Sequence, residues 1–342
     1  MDSTAKLLLS TLLFASQVLS QTYKVTGSIP IGGTGGWDYL YAGAAGRRLY
    51  VSHGTEVVVV DLDSEKVVGT IGGMQGIHGI AIAEALGKGF ISDGRSNELV
   101  AFDLKSLAVK QKIATGQNPD GLVYDPFSKR VFTFNGRSQD ATAVDAETGT
   151  VAGTIALGGK PEFPASDGKG SIYANIEDKN EIVRIDPRTL VVQARWSIAP
   201  CESPSGLAID AKSRRLFAVC DGGKMAVVNA DSGKVVATPA IGEGPDAAAF
   251  DPGSKLVFSS NGQDGTLTVI KEAGPDSYAV VQTVKTQRGA RTMALDTETH
   301  RVYLATATFG AAPAATAANP HPRPSIEPGS FKVLVVGQVK TN

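Results

Sequence analysis

Residues 24–29, Lys24-Val25-Thr26-Gly27-Ser28-Ile29, return as Lys66-Val67-Val68-Gly69-Thr70-Ile71, an offset of 42 residues. The second copy closes a longer pattern. An apolar triplet with an aromatic residue leads through a polar turn to a Val/Ile-rich run ending in Asp, then a short turn and another β-branched run. The closing acids Asp61, Asp103, Asp145 and Asp186, with Asn229 in the fifth unit, step by 42, 42, 41 and 43 residues. The aromatic landmarks are Tyr50, Phe90, Phe132, Tyr173, Phe217 and Tyr303, with Val257 in the remaining slot. A fixed period of this length marks a repeat architecture.

Each unit holds four short strand-like runs bounded by Gly, Asn, Asp and Pro. In the third unit these are Leu122-Val123-Tyr124, Val131 to Phe134, Ala141 to Val144, and Val151 to Ile155. Four antiparallel strands per roughly forty residues describe a β-propeller blade, which cannot bury both faces alone. Seven units start near Trp37, Gly76, Asn118, Lys160, Ser203, Gly244 and Arg288. The last unit has three strands, Thr292 to Leu295, Val302 to Ala305 and Lys332 to Val336. The Lys24–Ile29 segment is therefore expected to supply the fourth and close the ring, removing exposed sheet edges. The expected fold is all-β, a seven-bladed propeller, with residues 21–342 as a single domain. The repeated Asp-x-x-Ser/Thr at Asp61, Asp103, Asp145 and Asp186 fits a turn in which a short acceptor bonds a nearby backbone N–H, so these acids are assigned structure rather than chemistry.

Leu49-Tyr50-Val51-Ser52 with Val57 to Asp61, and Ile172-Tyr173-Ala174-Asn175 with Ile182 to Asp186, resemble the YVTN repeat. The chain resembles the YncE-like seven-bladed propellers over essentially all of residues 21–342. The resemblance implies a fold and an exported location. The tetrad carries no catalytic residue, so no activity comes with it.

The composition narrows function. With 33 basic and 34 acidic residues and a net charge of -1, binding of nucleic acid through bulk positive charge is not expected. Met1 to Ser20 reads as a cleaved signal peptide, with Lys6 before the apolar run Leu7 to Leu19 and a stretch, Val18-Leu19-Ser20, that resembles a cleavage site near Ser20/Gln21. The mature chain is expected to be secreted or periplasmic. No later run is apolar enough for a membrane span.

Aligning the seven starts gives one entry residue per blade at one mouth of the channel: Asp38, His78, Asp120, Glu162, Ser205, Asp246 and Arg291. These are the expected ligand-binding residues. Clustered carboxylates raise one another's pKa, an arrangement suited to acid/base work or cation binding, and equally to capping a channel end. The ends of the second strands add His53, Asp93, Asn135, Asp221 and Asn261 on the same face. His53, His78 and Asp93 are the candidate metal ligands, and a divalent ion is the one cofactor left open. No Cys-x-x-Cys-His is present, so no c-type haem is expected. There is no nucleophile elbow and no phosphate-binding loop.

Cys201 and Cys220 flank the first two strands of one blade. In an exported chain a disulfide is plausible, with two free thiols as the alternative. Residues 306–330, rich in Ala and Pro, form an insertion in the seventh blade that leaves a second strand and so emerges at the mouth. A lid, a docking arm and a tolerated surface insertion are all open. The leading functional expectation is a binding propeller that engages a small molecule or a protein at the mouth without catalysis. The alternative is a metal-dependent hydrolase or lyase of lactonase-like outline, with Asp120, Glu162 or Asp246 as base and Arg291 as anion clamp.

Overall fold

Short β-branched runs settle as strands when sheets stacked on either side bury both of their faces. The computed structural model describes residues 21–43, 45–274, 276–314, 316 and 324–340, so the expected signal peptide 1–20 lies outside the described residues. These residues form seven four-stranded antiparallel sheets. The first sheet runs Trp37–Gly43, Arg48–His53, Glu56–Asp61 and Lys66–Ile71, from inside to outside. The other inner strands are Ile77–Ala83, Pro119–Asp125, Pro161–Ser166, Glu202–Asp210, Pro245–Asp251 and Met293–Asp296. Each touches the next, and the last returns to Trp37–Gly43. The chain folds as a seven-bladed β-propeller.

The ring is closed by the two ends of the chain. Gln21–Pro30 pairs antiparallel with Lys332–Lys340, setting Val25 opposite Val336 and Ile29 opposite Val333. The closing strand is also tied sideways to the sixth blade. Gln282 accepts the Tyr23 N–H at 2.9 Å and donates to the Tyr23 carbonyl at 2.7 Å. The Tyr23 ring meets Phe258 edge-on, with centroids 5.2 Å apart.

The apolar residues divide into seven clusters, each lying between two adjacent blades. The aromatic landmark of each second strand faces the next blade. Thus Tyr50 meets Phe102 of the second blade, and Tyr303 packs with Leu49 and Val51 of the first. In the sixth blade this position belongs to Phe258, which faces the seventh, and not to its neighbour Val257, which faces back to the fifth. The pairings Phe258 with Ala249 and Tyr50 with Tyr41 show the equivalence. Successive strand residues point to opposite faces, so a one-residue slip in alignment exchanges the two interfaces.

The repeated aspartates make the expected turn. Asp61 Oδ1 accepts the Ser64 N–H at 2.8 Å and its hydroxyl at 2.7 Å, and Asp103 and Asp145 repeat this with Ser106 and Thr148. These bonds hold the Asp61, Asp103 and Asp145 carboxyls below the ordinary carboxylate range. Asn229 takes the same role toward the Ser232 N–H at 3.0 Å.

Phe258→Ala should lower the unfolding free energy by ~3–5 kcal/mol, the usual cost of emptying a buried ring site, read from urea denaturation. Deleting residues 21–30 leaves the Lys332–Lys340 edge unpaired. That product is expected to elute from a sizing column as oligomer or aggregate; a stable monomer would show that closure is not what protects the edge.

Candidate functional site

The entry residues are held in place by their backbones before their side chains meet. Ser92, on the second strand of blade two, accepts the Gly79 N–H at 2.7 Å and donates to the Asp120 carbonyl at 2.7 Å. Ser52 accepts the Asp38 N–H at 2.9 Å, and Asn175 donates to the Ser205 carbonyl at 2.8 Å. Ser260 donates to the Arg291 carbonyl. A polar residue one or two places from the end of a second strand thus fixes the entry to its own blade or the next. The residue after each entry is small where blades approach closely. A Cβ on Gly79 would lie 2.7 Å from the Asp120 carbonyl oxygen, and one on Gly121 would lie 2.3 Å from that of Glu162.

Five of the seven expected entry residues join one network, and a sixth, Glu162, is paired separately. His78 Nδ1 lies 2.6 Å from Asp38 Oδ2 and 3.7 Å from Asp120 Oδ1. Arg291 pairs with Asp246, approaches Asp38 Oδ1 at 3.5 Å, and donates to the Trp37 carbonyl at 3.2 Å. Lys160 joins Glu162, at 2.6 Å, to Glu177. The seventh, Ser205, turns its hydroxyl to the Pro245 carbonyl at 3.0 Å and makes no link to the charges.

Below this network two aromatic rings meet across the ring of inner strands. Tyr39 and Phe163 follow Asp38 and Glu162 on the inner strands of blades one and four, which stand across the ring from each other. Their rings meet with centroids 5.1 Å apart. The mouth is therefore a bowl with an aromatic floor. Burial pushes the Tyr39 phenol well above its ordinary pKa, and the charges of Asp120, Glu162, Asp38 and Asp246 push it further. The carboxyls shift the same way. Burial raises Asp120, against the pull of His78 and with the help of Asp38. Burial and the charge of Asp120 raise Glu162, with Lys160 opposing. Burial raises Asp246, with Arg291 opposing. Burial disfavours a charged His78, but the hydrogen bond to Asp38 and the charges of Asp120, Asp38 and Glu162 outweigh it, so its pKa rises.

The metal set expected from sequence is not brought together. His53 is buried and stacked on Phe331, with centroids 4.4 Å apart. Asp93 spends its oxygens on the N–H groups of Gln75 and Gly76, both at 2.9 Å, and on the Ser96 hydroxyl. These two side chains point into the blade edge and the turn beside it, whereas Asp221, at the same position in blade five, is exposed. Asn135 and Asn261 behave as His53 and Asp93 do. Each is buried and donates to a threonine seven residues on, Thr142 or Thr268. The group that does offer clustered donor atoms is Asp38, His78 and Asp120. Lys160, Glu177, Tyr39 and Phe163 were missed as members of the mouth. The residues beside the aligned entries were the available signal.

Cys201 and Cys220 form a disulfide, their Cα atoms 5.6 Å apart. The described parts of the 306–330 insertion start and end in an ordered base. Gly310 N–H donates to the Ser325 carbonyl and Glu327 N–H to that of Thr308, both at 2.9 Å. Phe309 and Phe331 lie against Trp37, with centroids 6.0 and 5.2 Å away, next to Asp38.

No protein-family model matches the sequence, and no curated protein does either. Solved structures share the fold. The chain superposes on the RRP9 WD40 repeats with a TM-score of 0.77 at 8% identity, covering 93% of this chain and 100% of that one. A chain of a mitotic checkpoint complex gives 0.73 at 12% identity, covering 100% and 99%. Kuenenia stuttgartiensis hydrazine synthase gives 0.71 at 14%, covering 90% and 96%. The propeller thus has WD40-like neighbours in structure. Among the described residues no helix is long and apolar enough to cross a membrane.

His53 sets a pH dependence. Burial holds its pKa below the ordinary histidine value, with Glu56 opposing, so the fold favours the neutral ring. The stability this contributes is complete above the unfolded pKa, near 6.5, and is lost as pH falls toward the lower folded value. Urea midpoints of the wild type should therefore drop more steeply between pH 7 and 5 than those of His53→Phe. Parallel curves would remove His53 as the cause.

Proposed function

We propose that this chain is an exported, YncE-like binding propeller that takes a positively charged ligand at the channel mouth without transforming it. The observation that carries the reading is the charge of the bowl. Asp38, Asp120, Glu162, Glu177 and Asp246 face the permanent cations Arg291 and Lys160 above the Tyr39–Phe163 floor. An incoming cation offsets part of the burial cost, and of the smaller mutual repulsion, that raise the carboxyl pKa values, and low-dielectric walls strengthen the attraction. WD40-like neighbours, one of them from a mitotic checkpoint complex, agree with a propeller used for binding. Export is supported by the leader pattern of Met1–Ser20 and by the Cys201–Cys220 disulfide, a bond that persists in oxidising compartments.

One observation favours a second reading, a metal-dependent hydrolase or lyase. The raised carboxyls of Asp120 and Glu162 approach the range in which a group exchanges protons near neutral pH. That reading requires turnover of a lactone or ester that Glu162→Gln abolishes.

The binding reading is tested by calorimetry with spermidine as a cationic probe and citrate as an anionic one. Spermidine should bind, weaken as salt rises, and lose at least tenfold in affinity in Glu162→Gln and in Asp246→Asn; citrate should not bind. Equal binding of both probes, or spermidine binding indifferent to these substitutions, would overturn it.

A further inference from the structure

We infer that Asp38, His78 and Asp120 form a site for a first-row divalent cation of the zinc or manganese class. The inference deepens the cation-binding reading above by assigning one of the bound charges to a metal ion. Three independent features lead to it.

The first is donor geometry. One nitrogen and two carboxylate oxygens, from three successive blades, all lie within 4.8 Å of one another. Donors ~2.1 Å from a common ion stand about 3.0 to 3.4 Å apart in octahedral or tetrahedral coordination. The observed separations from His78 Nδ1, 2.6 Å to Asp38 and 3.7 Å to Asp120, bracket that range. Small side-chain rotations therefore bring all three onto one ion.

The second is an unmet carboxylate. The Asp120 side chain is 17% exposed, and its carboxylate accepts no hydrogen bond from any described residue. It faces the same imidazole nitrogen that Asp38 already engages. One proton on Nδ1 serves one carboxylate at bonding distance, whereas a dication serves both. A largely buried carboxylate whose nearest cation stands at 3.7 Å gains from a dication that engages it together with Asp38 and the imidazole.

The third is the seating of the imidazole. A Cβ at Gly94 would lie 2.7 Å from both Cδ2 and Nε2 of His78, so this glycine makes the slot that turns Nδ1 toward the carboxylates. The backbones of Asp38 and Asp120 are pinned by Ser52 and Ser92. Arg291 approaches Oδ1 of Asp38, leaving Oδ2 for the ion. The donor set selects the class. An imidazole nitrogen with two carboxylates suits borderline ions, whereas calcium takes six to eight oxygens. Three protein donors leave coordination positions for water or a ligand atom.

The test is calorimetric titration of the chelator-stripped full chain with zinc alone, repeated with manganese and with calcium. One zinc per chain is expected, with calcium weaker. Asp120→Asn and His78→Gln should each weaken zinc at least tenfold while far-UV circular dichroism of the stripped protein is unchanged, and His53→Gln should leave zinc affinity as it was. Substoichiometric zinc, or zinc affinity unchanged in both Asp120→Asn and His78→Gln, would overturn the site. Spermidine binding that persists without any zinc site would overturn this inference alone. Zinc bound through these residues with no spermidine binding would overturn the charge reading alone.

Discussion

The pairing of Gln21–Pro30 with Lys332–Lys340 is the constraint on which the rest depends. Each sheet has two apolar faces and one neighbour for each, and only a closed cycle supplies every sheet with both. The seven clusters lie one to each junction, so no sheet holds a core of its own. Closure by a strand from the opposite end of the chain makes the junction between blades six and seven depend on residues more than two hundred positions apart, as the reciprocal bonds of Gln282 and Tyr23 illustrate. Long-range pairing of this kind costs loop-closure entropy before it returns contact energy. The ring accordingly gains its stability as a whole.

The same closure creates the mouth. Inner strands that touch in a cycle bring one entry residue from each blade to a common rim, whatever its identity. What the identities then decide is electrostatic. Carboxylates that are partly shielded from water and close to one another cannot all be charged without help, and the chain answers with its own cations. Arg291 serves Asp246 and Asp38, Lys160 serves Glu162 and Glu177, and His78 serves Asp38. Asp120 has only the longer approach of His78, at 3.7 Å.

The fold was legible because its signals are periodic. The spacing of Asp61, Asp103, Asp145 and Asp186, and the match of Lys24–Ile29 to Lys66–Ile71, report backbone turns and strand ends that must recur in every blade. Entry positions follow from that period, so Asp38, His78, Asp120, Glu162, Asp246 and Arg291 were found by counting. The errors arose where counting meets side-chain direction. Val257 and Phe258 differ by one residue and face different blades. His53 and Asp93 sit at the correct face but point into the blade edge, where stacking on Phe331 and backbone N–H groups absorb them. The Tyr39–Phe163 floor was not legible at all, because contact across a ring has no trace in local spacing.

The opposite face of the ring shows why such cross-blade contacts matter and why they escape a periodic reading. Asp125 accepts the Ser166 hydroxyl of the next blade at 2.6 Å, Asp251 meets His300 at 2.7 Å, and Asp296 meets Arg47 at 2.8 Å. The aspartate recurs at one place, the end of an inner strand, yet its partner is a serine, a histidine or an arginine reached from a different offset each time. A repeat constrains the element that every blade must have, and leaves free the group that only one junction uses. The mouth follows the same logic in reverse: its positions are common to all blades, and the side chains there differ from blade to blade, with a carboxylate, an imidazole and a second carboxylate in succession at Asp38, His78 and Asp120.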